Sequence, residues 1–167
     1  DELSHLTEGA VTPEGRDFRV EEVLLVWDRG PGASDDVIRE LSTQYSWVRP
    51  IWLSRNFGQH AATLAGMTSS GGDWIVTMDE DGQQDPAFIA HMIDAAYDQT
   101  AQLVYAAPSN PPPHSALRNL SSRVVKKLFA GALADGEFAE FNSFRLVLGE
   151  VGRSVAAYTG TGVYLDV

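Results

Sequence analysis

Trp74-Ile75-Val76-Thr77-Met78-Asp79-Glu80-Asp81-Gly82-Gln83-Gln84-Asp85-Pro86 is the stretch that decides the fold. Its first five residues form a short apolar run that reads as a buried strand. The run stops at an acidic turn. Asp85-Pro86 then offers a helix start, a capping Asp with Pro at the first helical position. Phe88, Ile89, Met92, Ile93, Ala96 and Tyr97 continue at helical spacing.

The same strand-turn-helix step recurs on both sides. Upstream, 23–27 reads as a strand closed by the turn Arg29-Gly30-Pro31-Gly32. Ser34 can cap the helix that follows, with Asp35 and Asp36 in its first turn and Val37, Ile38 and Leu41 on its apolar side. A strand over 48–53 leads through Ser54-Arg55-Asn56-Phe57-Gly58 into a helix of small residues, Ala61, Ala62 and Ala65 among them, which Gly71-Gly72 ends. Asp1 to Leu6 reads as the tail of a helix, followed by a polar loop through Arg19. Downstream, strands are expected over 103–106 and 144–148 and a short helix over 151–157. Between them lie a loop with three consecutive prolines at 109–114 and a helix with an apolar stripe of Leu117, Leu120, Val124 and Leu128. Strands alternating with helices imply a mainly parallel sheet covered on both faces, in a single domain over 1–167. Ligands of such sheets bind beyond the carboxyl ends of the strands, where Asp28 and the cluster from Asp79 to Asp81 both fall.

Composition sets the outer limits. The 167 residues are enough for one domain with a hydrophobic core, 44% are apolar and 21% charged, and no window is long and apolar enough for a membrane-spanning helix. The absence of cysteine excludes disulfides and thiolate metal sites and suits a reducing cytoplasm. A formal net charge of −11 argues against nucleic acid as a partner. Yet four of the twelve basic residues, Arg118, Arg123, Lys126 and Lys127, fall within ten positions, on the helix after the proline loop. Such a segment is either a solvated helix face or a place to hold an anionic ligand at a membrane surface.

Asp79 and Asp81 are one residue apart. If the chain stays extended past the strand, their carboxylates share a face and can hold a hard cation, Mg²⁺ or Mn²⁺, with the amide oxygen of Gln83 nearby. The alternative is a solvated acidic turn. A calcium loop fits poorly, because its fifth, sixth and twelfth positions would be Gln83, Gln84 and Ala90. The histidines, His5, His60, His91 and His114, show no ligand spacing, and His60 and His91 read as helix-face residues. Trp47, Trp52 and Trp74 read as core.

Together these segments resemble glycosyltransferase family 2. The residues that carry the likeness are Leu53-Ser54-Arg55-Asn56-Phe57-Gly58, then Ala61, Ala62 and Ala65-Gly66, then Met78-Asp79-Glu80-Asp81-Gly82-Gln83-Gln84-Asp85-Pro86. Leu117-Arg118-Asn119-Leu120-Ser121-Ser122-Arg123 and Ser143-Phe144-Arg145-Leu146 are similar to the polyprenyl-phosphate sugar transferase branch, and the likeness runs over 23–167. It implies a GT-A, Rossmann-like α/β domain and inverting transfer of a sugar from a nucleotide-sugar donor. The acceptor would be a lipid phosphate or a glycan, at the inner face of the plasma membrane, in cell-envelope glycan synthesis. It implies Asp79, Asp81 and Gln83 at the metal, and Asp28, Arg55, Asn56, Gly58 and Asp79 at the donor. Arg118 and Ser122 would meet the acceptor phosphate, and Asp81, Arg145 and Glu140 would serve catalysis. A lipid phosphate is already ionised and needs no base, whereas a sugar hydroxyl would need a carboxylate, for which Glu137 and Glu140 are the nearby candidates.

Three departures stand out. Trp27-Asp28-Arg29-Gly30 replaces the family's Asp-Asp-Gly-Ser, and Gly82 replaces its usual Leu. The family's first strand would lie before Asp1 and its late segment beyond Val167, so a domain trimmed at both ends, with an exposed sheet edge, is expected. A nucleotidyltransferase would share the sheet and metal site but should show a Gly-rich phosphate loop. A non-catalytic metal- or partner-binding module is the reading that the altered turn at Trp27 keeps open.

Overall fold

The computed structural model of the chain describes residues 3–30, 32, 34–106 and 143–160. The expected proline loop, the basic helix and the residues Arg118, Ser122, Glu137 and Glu140 lie outside them. Among the described residues the order is α1 (Ser4–Thr7), β1 (Ala10–Val11), β2 (Asp17–Phe18), β3 (Val23–Trp27), α2 (Ser34–Gln44), β4 (Val48–Trp52), α3 (Gln59–Ser69), β5 (Trp74–Thr77), α4 (Phe88–Asp98), β6 (Leu103–Tyr105), β7 (Arg145–Leu148) and α5 (Gly149–Tyr158). The strand-helix alternation expected from the sequence is present. The polar loop before Arg19 carries a small hairpin, β1 with β2, that periodicity could not show because each strand has two residues.

β3 and β4 pair in parallel, with Val23 opposite Val48 and Trp27 opposite Trp52. β5, β7 and β6 form a second sheet in that spatial order, β7 antiparallel to both neighbours. The two sheets share no ladder among the described residues. Helix α3 bridges them, packing on β3 and on α5. Its small residues permit this: a Cβ on Gly66 would stand 3.3 Å from Val26 Cγ2.

β7 is the centre of the core. Successive side chains of a strand point to opposite faces. Leu146 therefore joins Ile89, Met92, Ile93, Ala96 and Phe144 under α4, while Val147 joins Leu64, Met67 and Ile75 under α3 and α5. Burial on both faces is why Leu146, Val147 and Leu148 follow one another without a polar residue after the buried Arg145. The tryptophans expected in the core are only partly covered. Trp52 is 37% exposed, edge-on to Trp27 and beneath the guanidinium of Arg39. Helix α4 begins at Phe88 rather than at Pro86, although Asp85 Oδ1 does accept the Ala87 N–H at 2.9 Å.

The N-terminal hairpin is tied to α4 through one buried carboxylate. Asp94 accepts bonds from Thr12 Oγ1 (2.6 Å), the Glu14 N–H (3.0 Å) and Arg16 Nη1 (2.5 Å), and Arg16 Nη2 also reaches Asp98 (2.6 Å). Burial alone would raise the Asp94 carboxyl. The bonds from Thr12, Arg16 and the Glu14 N–H outweigh it and hold the carboxyl below the usual carboxylate range. A carboxyl depressed in the folded state stabilises it fully above the unfolded value of about 3.9, and loses that contribution as pH falls through the folded value. The stability gap between the native chain and Asp94→Asn should thus be constant from about pH 7 down to about pH 5 and shrink below about pH 4. Urea denaturation as a function of pH measures it, and a gap independent of pH would contradict the assignment.

Candidate active site

The edge of the second sheet formed by the carboxyl end of β5 and the amino end of β7 opens into a polar cleft. Gln59, His60 and Thr63 line it from the first turns of α3, Thr77, Met78 and Asp79 from the end of β5, and Ser143 and Arg145 from the start of β7. Arg145 is buried, donates Nε to Thr77 Oγ1 at 3.1 Å, and lies 5.9 Å from the ring of Tyr105. Thr77 Oγ1 in turn donates to the Ser143 carbonyl at 2.5 Å.

Asp79 and Asp81 occupy different surroundings. Asp79 is half-buried, and both its oxygens are engaged. Gln59 Nε2 donates to Oδ1 at 2.9 Å, and Ser143 Oγ (2.5 Å) and Gln84 Nε2 (3.3 Å) donate to Oδ2. Gln84 Oε1 accepts the Asp79 N–H at 2.8 Å, and Gln84 Nε2 also donates to Ser143 Oγ at 2.8 Å. Asp81 is exposed, and its Oδ1 accepts the N–H of Gln83 at 3.0 Å, a turn within its own loop. Gly82 has φ +71°, a conformation that a leucine would adopt only with strain.

This donor set suits a Mg²⁺-type ion, which is commonly held by one or two carboxylates and completed by water and substrate phosphate oxygens. Asp81 can supply such a carboxylate. Among the described residues no three acidic or histidine groups cluster as a closed cage.

Asp28 is drawn into the frame of the site. Its carboxylate accepts the N–H groups of Phe57 and Gly58, both at 2.7 Å, and so clamps the end of β3 to the turn before α3. Gly58 precedes α3 at φ +92°, where a side chain would be strained. Arg55 and Asn56 are exposed on the same turn, with the Arg55 guanidinium 4.3 Å over the Phe57 ring. Arg29 has φ +51°, bonds the Leu53 carbonyl at 3.4 Å and lies over Trp27 at 5.4 Å. The indole N–H of Trp27 is buried without a partner among the described residues. Asp28→Ala would remove two charge-assisted bonds and leave two N–H groups unpaired, at a cost of about 2–3 kcal/mol. Thermal unfolding checks this.

Asp79 and Arg145 therefore meet in one cleft, and Asp28 meets Gly58. Gln59, His60, Thr63, Gln84 and Ser143 belong to the site although the sequence did not single them out for it. Gln59 begins a helix just past a strand's carboxyl end, which is a usable signal. Ser143, 64 residues from Asp79, had only its place in the Ser143-Phe144-Arg145-Leu146 run of the family likeness, which says nothing of the acidic loop.

The family model for glycosyl transferase family 2 matches residues 15–153. The undecaprenyl-phosphate 4-deoxy-4-formamido-L-arabinose transferase of Klebsiella pneumoniae (strain 342) is 34% identical over 131 residues, covering 76% of this chain and 38% of the relative. The protein of the same name in Pseudomonas aeruginosa (strain LESB58) is 38% identical over 96 residues, 57% of this chain and 27% of the relative. The chain thus spans about two fifths of the length of the Klebsiella relative. With a family match over most of its length and the acidic loop set at the carboxyl end of β5, the chain belongs to glycosyltransferase family 2.

Proposed function

We propose that the chain forms part of the catalytic domain of an inverting glycosyltransferase that moves a sugar from a nucleotide-sugar donor to a polyprenyl phosphate in cell-envelope glycan synthesis. The observation that carries the reading is the polar cleft between α3 and the sheet edge, with Arg145 in its wall and the acidic loop following directly from β5. The names of the Klebsiella and Pseudomonas relatives, both undecaprenyl-phosphate sugar transferases, favour a lipid-phosphate acceptor.

In the proposed reaction an acceptor phosphate oxygen attacks the anomeric carbon. The bond from that carbon to the donor diphosphate breaks, and the nucleoside diphosphate departs with the electron pair. The acceptor is ionised at neutral pH, so orientation replaces a general base. Arg145 places fixed positive charge in the cleft wall, where it can stabilise the departing diphosphate. A bound Mg²⁺ or Mn²⁺, held by Asp81 with Gln83 beside it, would supply further charge stabilisation. Arg118 and Ser122 are proposed for the acceptor phosphate, and Arg55, Asn56 and Gly58 for the donor. Glu140 would act as a base only with a hydroxyl acceptor. The proposed location is the inner face of the plasma membrane, with the chain resting on the membrane surface. No helix among the described residues is long and apolar enough to cross a membrane.

A thermal-shift panel of UDP-, GDP- and dTDP-sugars with Mn²⁺ tests the reading. At a ligand concentration 100 times Kd, binding adds about 2.7 kcal/mol of stability. That is roughly 5–11 °C in a domain of this size. One nucleotide series should shift the midpoint by such an amount only when Mn²⁺ is present. No shift with any donor would count against the proposal.

A further inference from the structure

We propose that Arg29 determines the specificity of the donor site and selects guanine: its guanidinium, set on Trp27 past the carboxyl end of β3, presents paired donors to the O6 and N7 acceptors of that base. The inference deepens the proposed function and rests on that reading.

Arg29 stands in the left-handed region, at φ +51°. A side chain such as this adopts that conformation at a cost, and residues so held gather at ligand clamps. The turn thus keeps an arginine where its backbone would favour glycine. The side chain is exposed but not loose. Its guanidinium carbon lies 5.4 Å from the centroid of the Trp27 ring, Trp27 is itself held edge-on to Trp52 at 5.7 Å, and Nε donates to the Leu53 carbonyl at 3.4 Å. A planar fork held in this way loses less freedom when it binds. Arg16, Arg19 and Arg49 pair with carboxylates, whereas Arg29 pairs with none among the described residues.

Position decides what the fork meets. Asp28 clamps the Phe57 and Gly58 N–H groups, and Gly58 leads directly into Gln59, which lines the cleft. In the proposed reading the diphosphate lies by Arg145 and the acidic loop, so Arg29, on the far side of the clamp, meets the other end of the nucleotide, the base. A guanidinium only donates. Its two-pronged edge fits a base edge with two adjacent acceptors, which guanine offers at O6 and N7, whereas adenine sets a donor beside N7.

Calorimetry of the whole chain with Mn²⁺ compares nucleoside diphosphates. GDP and IDP, which share O6 and N7, should bind about 5–150-fold more tightly than UDP or CDP. The 7-deaza analogue of GDP should lose most of that preference. Arg29→Ala should bring GDP down to the level of UDP and leave UDP unchanged. Arg39→Ala, which removes another exposed guanidinium stacked on a tryptophan, should change neither. Arg29→Gly should also lose the preference, with an unfolding midpoint no lower than native, because glycine suits a backbone at φ +51°.

A preference for UDP or CDP, a guanine preference that survives Arg29→Ala, or 7-deaza-GDP bound as tightly as GDP would overturn the proposal. So would an equal loss of GDP and UDP in Arg29→Ala, which would put the guanidinium on a phosphate, or a fallen midpoint in Arg29→Gly, which would make Arg29 a structural residue. Binding of every nucleotide with one affinity would defeat base selection alone and leave the proposed function standing. Binding of none would defeat both.

Discussion

Asp81→Asn is expected to abolish Mn²⁺-dependent binding of a nucleoside diphosphate and to leave the fold intact. The expectation follows from what Asp81 touches. It is exposed, its carboxylate accepts the backbone N–H of Gln83, and an Asn oxygen can accept that same bond. Substitutions at such positions change stability by about 0.5 kcal/mol or less. Loss of the negative charge, in contrast, removes the open carboxylate proposed to face a divalent ion and the diphosphate it would bridge. Orienting groups around a metal already cost 10–100-fold when removed, so loss of the ligand itself should cost more than about 100-fold in affinity. Isothermal calorimetry with Mn²⁺ and UDP or GDP reads the affinity, and thermal unfolding of the metal-free protein reads the fold. Native-like binding by the variant would remove the acidic loop from the proposed site.

Gly149→Ala should be the most damaging single-methyl change in the described core. A Cβ at this position would stand 2.3 Å from the Gly72 carbonyl oxygen, 2.9 Å from the Asp73 carbonyl oxygen and 2.8 Å from Arg153 Nη1. Two of these neighbours are backbone and cannot swing away. The contact is close because the Gly149 N–H donates to the Asp73 carbonyl at 2.7 Å, joining the start of α5 to the segment that enters β5. Arg153 Nη1 fastens the same place by donating to the Gly72 carbonyl at 2.9 Å. Overpacking at a rigid site costs about 3 kcal/mol or more. For a domain of this size that is roughly 6–12 °C in midpoint. Gly160→Ala, with nothing within 4 Å of its added methyl, is the control and should be nearly neutral. A Gly149→Ala midpoint equal to that control would show that the α5–β5 junction can open without cost.

Much of the architecture was legible before the coordinates. β3, β4, β5, β6 and β7 each stand where a strand was read from the sequence, α4 follows its helical spacing, and α3 lies where the small residues predicted a helix. The family likeness rested on local runs such as Ser54-Arg55-Asn56-Phe57-Gly58, which the chain keeps contiguous. The hairpin of β1 and β2 was hidden, since two-residue strands have no period to detect, and so was the antiparallel sense of β7, since a strand buried on both faces reads alike in either direction.

The sequence alone determined the α/β class, the strand-end placement of Asp28, Asp79 and Asp81, and the family, because strand runs, caps and turns are written in neighbouring residues. Only the tertiary structure decided what those carboxylates do. It turned Asp28 onto the Phe57 and Gly58 amides, surrounded Asp79 with Gln59, Gln84 and Ser143, and left Asp81 exposed. The reason is physical: a carboxylate's role depends on which donors surround it in space, and here most of those donors come from parts of the chain that the sequence keeps 20 to 64 residues away.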